Sequence, residues 1–189
     1  MKLDLPDEFV LFDLEYTAWP GSQERKWSGE NEYREVIQIG AICVRDLKEI
    51  DAFCAFVKPV KNPKLSEYIQ ELTGISQGDI DTKGLSFQSA LAEFLSFVGE
   101  IPTYCFGRDT EVLEENGKLL GVEVVLPRAQ FHDFRQESGH TWLEKGIDIS
   151  QYSSGTLVEA FTKKPGLRAH DAVNDMRNLL KAITLFEHA

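Results

Sequence analysis

Two carboxylates one residue apart, Asp13 and Glu15, close the apolar run Phe9-Val10-Leu11-Phe12. Alternate side chains on a strand point to the same face, so both acids can reach one cation. Carboxylates at the end of a buried strand are costly unless they are paired or metal-bound. The plainer reading is a strand that emerges into water, and Asp-x-Glu recurs at Asp109-Thr110-Glu111. Asp109 itself follows Tyr104-Cys105-Phe106-Gly107-Arg108 and opens a predicted helix, where aspartate is also a favoured cap. His170 alone among the four histidines has an aspartate five residues on, Asp175. Asp171 reads as a helix N-cap, which sets His170 just outside the helix and Asp175 in its first turn.

Other polar residues carry weaker signals. His132-Asp133 reads as a hydrogen-bonded polar pair on a strand, with Asp133 the rival to Asp109 as the third carboxylate. His140 and His188 have no partner pattern. Glu111, Glu114 and Glu115 read as a solvated helix face.

The elements that must position these residues follow from hydrophobic periodicity. Phe9–Phe12 predicts a central strand buried on both faces. Gly- and Pro-containing polar sequence to Arg34 predicts a long loop. Val36–Val44 and Ile50–Val57 predict two further strands, joined through Arg45–Glu49 as a hairpin, so that the first three strands form an antiparallel meander. Ser66 caps a short helix that stops at Gly74. Phe87, Leu91, Phe94, Leu95 and Val98 recur at helical spacing after the cap Ser86. A strand over Thr103–Phe106, a helix from Asp109, a strand over Phe131–Phe134 and a closing amphipathic helix through Ala172, Met176, Leu179, Leu180, Ile183 and Phe186 complete an α/β layout with a mixed sheet.

The 189 residues fit one domain, 1–189. No apolar run reaches the length of a membrane span, and Met1-Lys2-Leu3-Asp4 does not read as a secretory signal, so a cytoplasmic location without membrane attachment is expected. Cys43, Cys54 and Cys105 form no Cys-x-x-Cys pair and read as reduced core residues. The net charge of −11 argues against a phosphate partner unless the acids bind cations that face it.

Strand-end Asp-x-Glu, a mid-chain aspartate after a strand and a terminal His-x-x-x-x-Asp occur here in the order one known site requires. The pattern resembles the DEDDh 3′-5′ exonucleases of ribonuclease-H-like fold, most of all their Eri-type and KapD-like branch. Asp13-Leu14-Glu15-Tyr16-Thr17 resembles the first motif, Asp109 falls at the second, and His170 with Asp175 matches the third. Val36-Ile37-Gln38-Ile39-Gly40-Ala41, Phe56-Val57-Lys58-Pro59 and Leu72-Thr73-Gly74-Ile75 extend the likeness from Phe9 to the C-terminus. Tyr16 is bulkier than its counterpart in many members, and the loop over 18–34 matches no substrate-reading loop.

The resemblance implies two divalent cations, Mg²⁺ or Mn²⁺. Asp13, Glu15 and Asp175 would hold the first, Asp13 would bridge to the second, and Asp109 would lie near it. His170 would take the proton of the attacking water. The substrate would be the 3′ end of single-stranded RNA or DNA, RNA being slightly favoured. Tyr16, Thr17, Trp19 and Arg168 are the candidate substrate contacts, with Lys163 and Lys164 beside Arg168, and Arg25, Lys26 and Trp27 form a basic-aromatic cluster. Alternatives are a phosphodiesterase for oligonucleotides or dinucleotides, a catalytically silent nucleic-acid-binding module, and a proofreading subunit.

Overall fold

The computed structural model describes residues 2–162 and 166–188. Its sheet has five strands: β1 (Glu8–Tyr16), β2 (Val36–Arg45), β3 (Lys48–Phe56), β4 (Thr103–Cys105) and β5 (Phe131–Asp133). They lie in the order β3-β2-β1-β4-β5. The first three pair antiparallel, while β1–β4 and β4–β5 pair parallel. This is the mixed sheet expected from the sequence.

Alternation along β1 divides the core. Val10, Phe12 and Leu14 pack with α3 (Phe87–Val98) and α4 (Asp109–Leu120) on one side. Phe9 and Leu11 pack with α6 (Ala172–Glu187) on the other. Phe12 lies 5.1 Å from Phe94 between ring centroids, and burying a side chain of that size is worth roughly 1.5–3 kcal/mol. The face that carries Phe9 and Leu11 continues into Asp13 and Glu15, so the strand changes from core to chemistry without changing side.

Register explains how α6 reaches that point. Asp13 pairs with Gly40, and Glu15 with Gln38. A Cβ on Gly40 would stand 2.6 Å from the Ala172 Cβ and the Val173 nitrogen, so only glycine lets α6 lie this close to β2. The Gln38 side chain accepts from the Ala172 N–H at 3.0 Å and reaches Asp171 at 3.5 Å. The N-terminus of α6 is thereby seated next to the two strand acids.

Several local features differ from the sequence expectations. The hairpin link is only Asp46-Leu47, both at positive φ (50° and 57°), a two-residue turn whose twist suits adjacent strands; Lys48 and Glu49 already pair in β3. The short helix α1 (Glu67–Thr73) begins at Ser66 and ends at left-handed Gly74 as predicted. A second one, α2 (Gln77–Lys83), follows it, held by a reciprocal Ser76–Asp79 capping box. The expected strand Phe131–Phe134 stops at Asp133, because the Asp133 carboxylate accepts from Arg135 and Gln136 N–H groups and starts α5 (Phe134–Glu144). Cys54 is exposed rather than core, while Cys43 and Cys105 are buried, and all three are free thiols. Among the described residues no helix is long and apolar enough to cross a membrane.

Candidate active site

Four carboxylates from three elements meet at the C-terminal end of β1. Asp13 and Glu15 come from β1, Asp175 from the first turn of α6, and Asp109 from the first residue of α4. Asp109 is not the cap of its helix: Arg108 occupies that position and makes no side-chain cap. Asp171 does cap α6, accepting from the Asn174 N–H at 3.0 Å. His170 precedes it with a φ of 62°, a conformation uncommon for a residue with a side chain. That conformation turns its N–H onto Asp175 Oδ2 at 3.3 Å. Ligand atoms of Glu15, His170 and Asp175 all lie within 4.8 Å of one another.

The electrostatics are those of crowded buried acids. Burial, then the charges of Asp109, Glu15 and Asp175, holds the Asp13 carboxyl well above the ordinary range, against a weak pull from the Ser154 hydroxyl at 3.4 Å. Burial and then Asp175 and Asp109 do the same to Glu15. Burial pushes both Asp109 and Asp175 up to about 7. Oδ1 of Asp175 is buried and has no hydrogen-bond partner among the described residues. A Cβ on Gly155 would stand 2.3 Å from that atom, so residue 155 leaves room for a carboxylate with an unmatched lone pair. Clustered hard oxygen donors that repel one another, one of them orphaned, fit a divalent cation.

The acids form part of the floor of a cleft of about 890 Å³. Tyr16 lines it and stands edge-on to Trp27, with ring centroids 5.4 Å apart. Arg34 lies over both rings and pairs with Glu115. Burial, followed by the charge of Asp109, pushes the Tyr16 hydroxyl up to about 12. Ser153, Ser154 and Arg135 border the same cleft.

The other expected contacts are placed differently. Thr17 is buried outside the cleft lining. Its hydroxyl donates to the Tyr33 carbonyl and accepts from the Glu35 N–H. Its own N–H and carbonyl bond Glu35 and Trp27, so all of its polar groups anchor the loop over 18–34. Trp19 is half-buried beside Ser22 and does not line the cleft. Arg25 binds Glu32 and the Pro20 carbonyl. Arg168 is exposed, reaches the Glu71 carbonyl at 3.4 Å and also lies outside the lining. Lys163 and Lys164 lie outside the described residues.

Asp133, the rival carboxylate, is a helix cap. His132 stacks on Tyr104 and pairs with Glu137, and His140 pairs with Glu144. Glu111, Glu114 and Glu115 are exposed, as a solvated helix face requires; Glu111 pairs with Arg108, and Glu115 pairs with Arg34 at the border of the cleft. Gln38, Gly40, Ser154, Gly155 and Arg135 carry no motif of their own. Only the position of Gln38 and Gly40 within a resembling strand segment hinted at them.

The family model described as Exonuclease (RNase_T) matches residues 10–183. The chain is 29% identical over 178 residues to a PolC-type DNA polymerase III of Caldanaerobacter subterraneus subsp. tengcongensis, covering 93% of this chain and 11% of the relative. It is 30% identical over 97 residues to ERI1 exoribonuclease 2 of Homo sapiens, covering 50% of this chain and 13% of the relative. The chain therefore spans little more than a tenth of these relatives. The solved nuclease domain of 3′hExo, a DEDDh family member bound to rAMP, superposes with a TM-score of 0.75 at 18% identity, over 97% of this chain and 93% of that one.

Proposed function

The chain belongs to the DEDDh 3′-5′ exonuclease family, and from that membership we propose that it hydrolyses phosphodiester bonds at the 3′ end of single-stranded or overhanging nucleic acid, RNA ahead of DNA. The observation that carries the reading is the meeting of Asp13, Glu15, Asp109 and Asp175 with His170 at the base of one open cleft.

In this proposal Asp13, Glu15 and Asp175 would hold one divalent cation, Mg²⁺ or Mn²⁺, and Asp13, with Asp109 nearby, would help to hold a second. Bound there, such cations would supply charge neutralisation at the phosphodiester, a more acidic water and stabilisation of the leaving 3′-oxygen. The protein's own part is positional and acid–base. Gln38 and Gly40 seat α6, so that Asp175 faces the acids of β1. Ser154 orients Asp13 through its hydroxyl. Partial removal of the His170 ring from water, with the charge of Arg168, lowers its pKa from the ordinary value. His170 is therefore neutral at pH 7, free to accept a proton from water as the bond to phosphorus forms. The wall of Tyr16, Arg34 and Trp27 offers aromatic surface for a terminal base, a contact tolerant of base identity.

The test is cleavage of 5′-labelled single-stranded RNA and DNA of one sequence with Mg²⁺, Mn²⁺ or EDTA, beside Asp13→Ala. A one-nucleotide ladder that needs both metal and Asp13 is expected. Intact oligonucleotides from folded protein in both metals would overturn the reading and move it to dinucleotide-sized substrates or a silent binding module.

A further inference from the structure

Resting on the exonuclease reading, we propose that Arg135 binds a backbone phosphate of the strand held in the cleft. Among the described residues, four cationic side chains other than His170 line that cleft: Lys26, Arg34, Arg108 and Arg135. Arg34 and Arg108 are already ion-paired, to Glu115 and Glu111. Lys26 is exposed on the turn-rich loop over 18–34. Arg135 alone combines a fixed position with the absence of an ion pair among the described residues.

The fixing is visible in three contacts. Arg135 stands in the first turn of α5, whose start is set by the Asp133 cap. Its guanidinium carbon lies 4.5 Å from the centroid of the Phe106 ring. One Nη2–H donates to the Tyr152 carbonyl at 2.9 Å. Its Nε is buried and has no hydrogen-bond partner among the described residues. A guanidinium carries five N–H donors in a planar fork that matches a phosphate, and among the described residues only the Tyr152 carbonyl accepts a hydrogen bond from it. A fork already oriented by stacking loses little freedom when it binds.

Chemistry gives the contact a purpose. A chain of net charge −11 with carboxylates at the base of its cleft needs a cation beside them to admit a polyanion. Tyr152 and Ser154 belong to the segment that also reaches Asp13 and Asp175. The same backbone stretch therefore places the phosphate-binding side chain and the acids that would act on its neighbour. The rival is a purely internal role, in which Arg135 only offsets the negative charge of Asp109 and Asp133.

Binding of a labelled single-stranded octanucleotide, followed by fluorescence anisotropy in Ca²⁺ across a KCl series, separates the two. Arg135→Gln should weaken binding roughly tenfold to a hundredfold. It should also flatten the log–log salt slope by about 0.7, the share of one phosphate contact on a single strand. Arg135→Lys should keep the slope at reduced affinity, because an ammonium cannot reproduce the fork. The Mn²⁺-induced rise in melting temperature should be the same in all three proteins. An unchanged salt slope in Arg135→Gln, or loss of the Mn²⁺ shift in its place, would overturn the proposal in favour of the internal role. Wild-type protein that binds the strand but does not cleave it would remove the exonuclease reading and leave the phosphate contact standing. Wild-type protein that does not bind would remove both.

Discussion

Raising the pH on the metal-free protein should weaken it, and the site supplies the size of the effect. Asp109 and Asp175 are each pushed from an ordinary 3.8 to about 7. In the unfolded chain both are ionised above pH 5, whereas in the fold they keep protons until about pH 7. The folded state thus binds more protons across that window, so its stability falls as pH rises from 5 through 7. Each unit is worth about 1.4 kcal/mol, which over the two units from 5 to 7 is roughly 3 kcal/mol for one group. The four acids share protons, so the groups do not simply add, and one group's worth is the figure to expect. For a domain of this size that corresponds to roughly 6–12 °C in melting temperature. The assay is thermal unfolding in EDTA at pH 5, 6, 7 and 8. General repulsion in an acidic chain acts in the same direction, so Asp109→Asn is the necessary comparison. Its slope should be shallower, and it should melt above the wild type at pH 8. Saturating Mn²⁺ at pH 8 should restore the wild type, by about 2.7 kcal/mol at a hundred times the dissociation constant. Identical slopes for wild type and Asp109→Asn, or a metal-free protein most stable at pH 8, would refute the account of the site as crowded, buried acids.

Two further substitutions test the shape of the site. Gly155→Ala places a methyl group 2.3 Å from Asp175 Oδ1, at a backbone conformation open to alanine. The fold should survive, while Mn²⁺ affinity by calorimetry drops roughly tenfold to a hundredfold; unchanged affinity would mean that Asp175 does not ligate through that oxygen. Asp133→Asn should retain cleavage and lose under about 1 kcal/mol, since asparagine caps helices as well as aspartate. Asp109→Asn should cut cleavage at least a hundredfold, and the reverse order in a gel assay would exchange the roles of the two residues.

Much of the layout was legible because its signals are local. The apolar run of β1, the Ser66 and Ser86 caps, the left-handed Gly74 and the periodic face of α6 each declare themselves within a few residues. The strand-end spacing of Asp13 and Glu15 fixes that they share a face, and the Asp171 cap sets His170 outside α6. Where the reading fell short, a short signal was ambiguous. His132-Asp133 does lie on a strand, as its apolar setting suggested, but Asp133 also starts α5, a second role that only the hydrogen bonds of its carboxylate reveal. Arg25 looked available until Glu32 bound it, and Thr17 looked free until Trp27, Tyr33 and Glu35 engaged it.

The sequence by itself determined which acids are candidates and the order in which the chain presents them. Tertiary structure decided that they meet, because convergence depends on pairing between residues far apart in the chain. Gly40 matters only since register sets it against α6, and Gly155 only since Asp175 turns towards it. Arg135 differs from any surface arginine only because Phe106 and Tyr152, brought from two other segments, hold its guanidinium at the edge of the cleft. Such roles belong to distances across the fold, and no spacing along the chain encodes them.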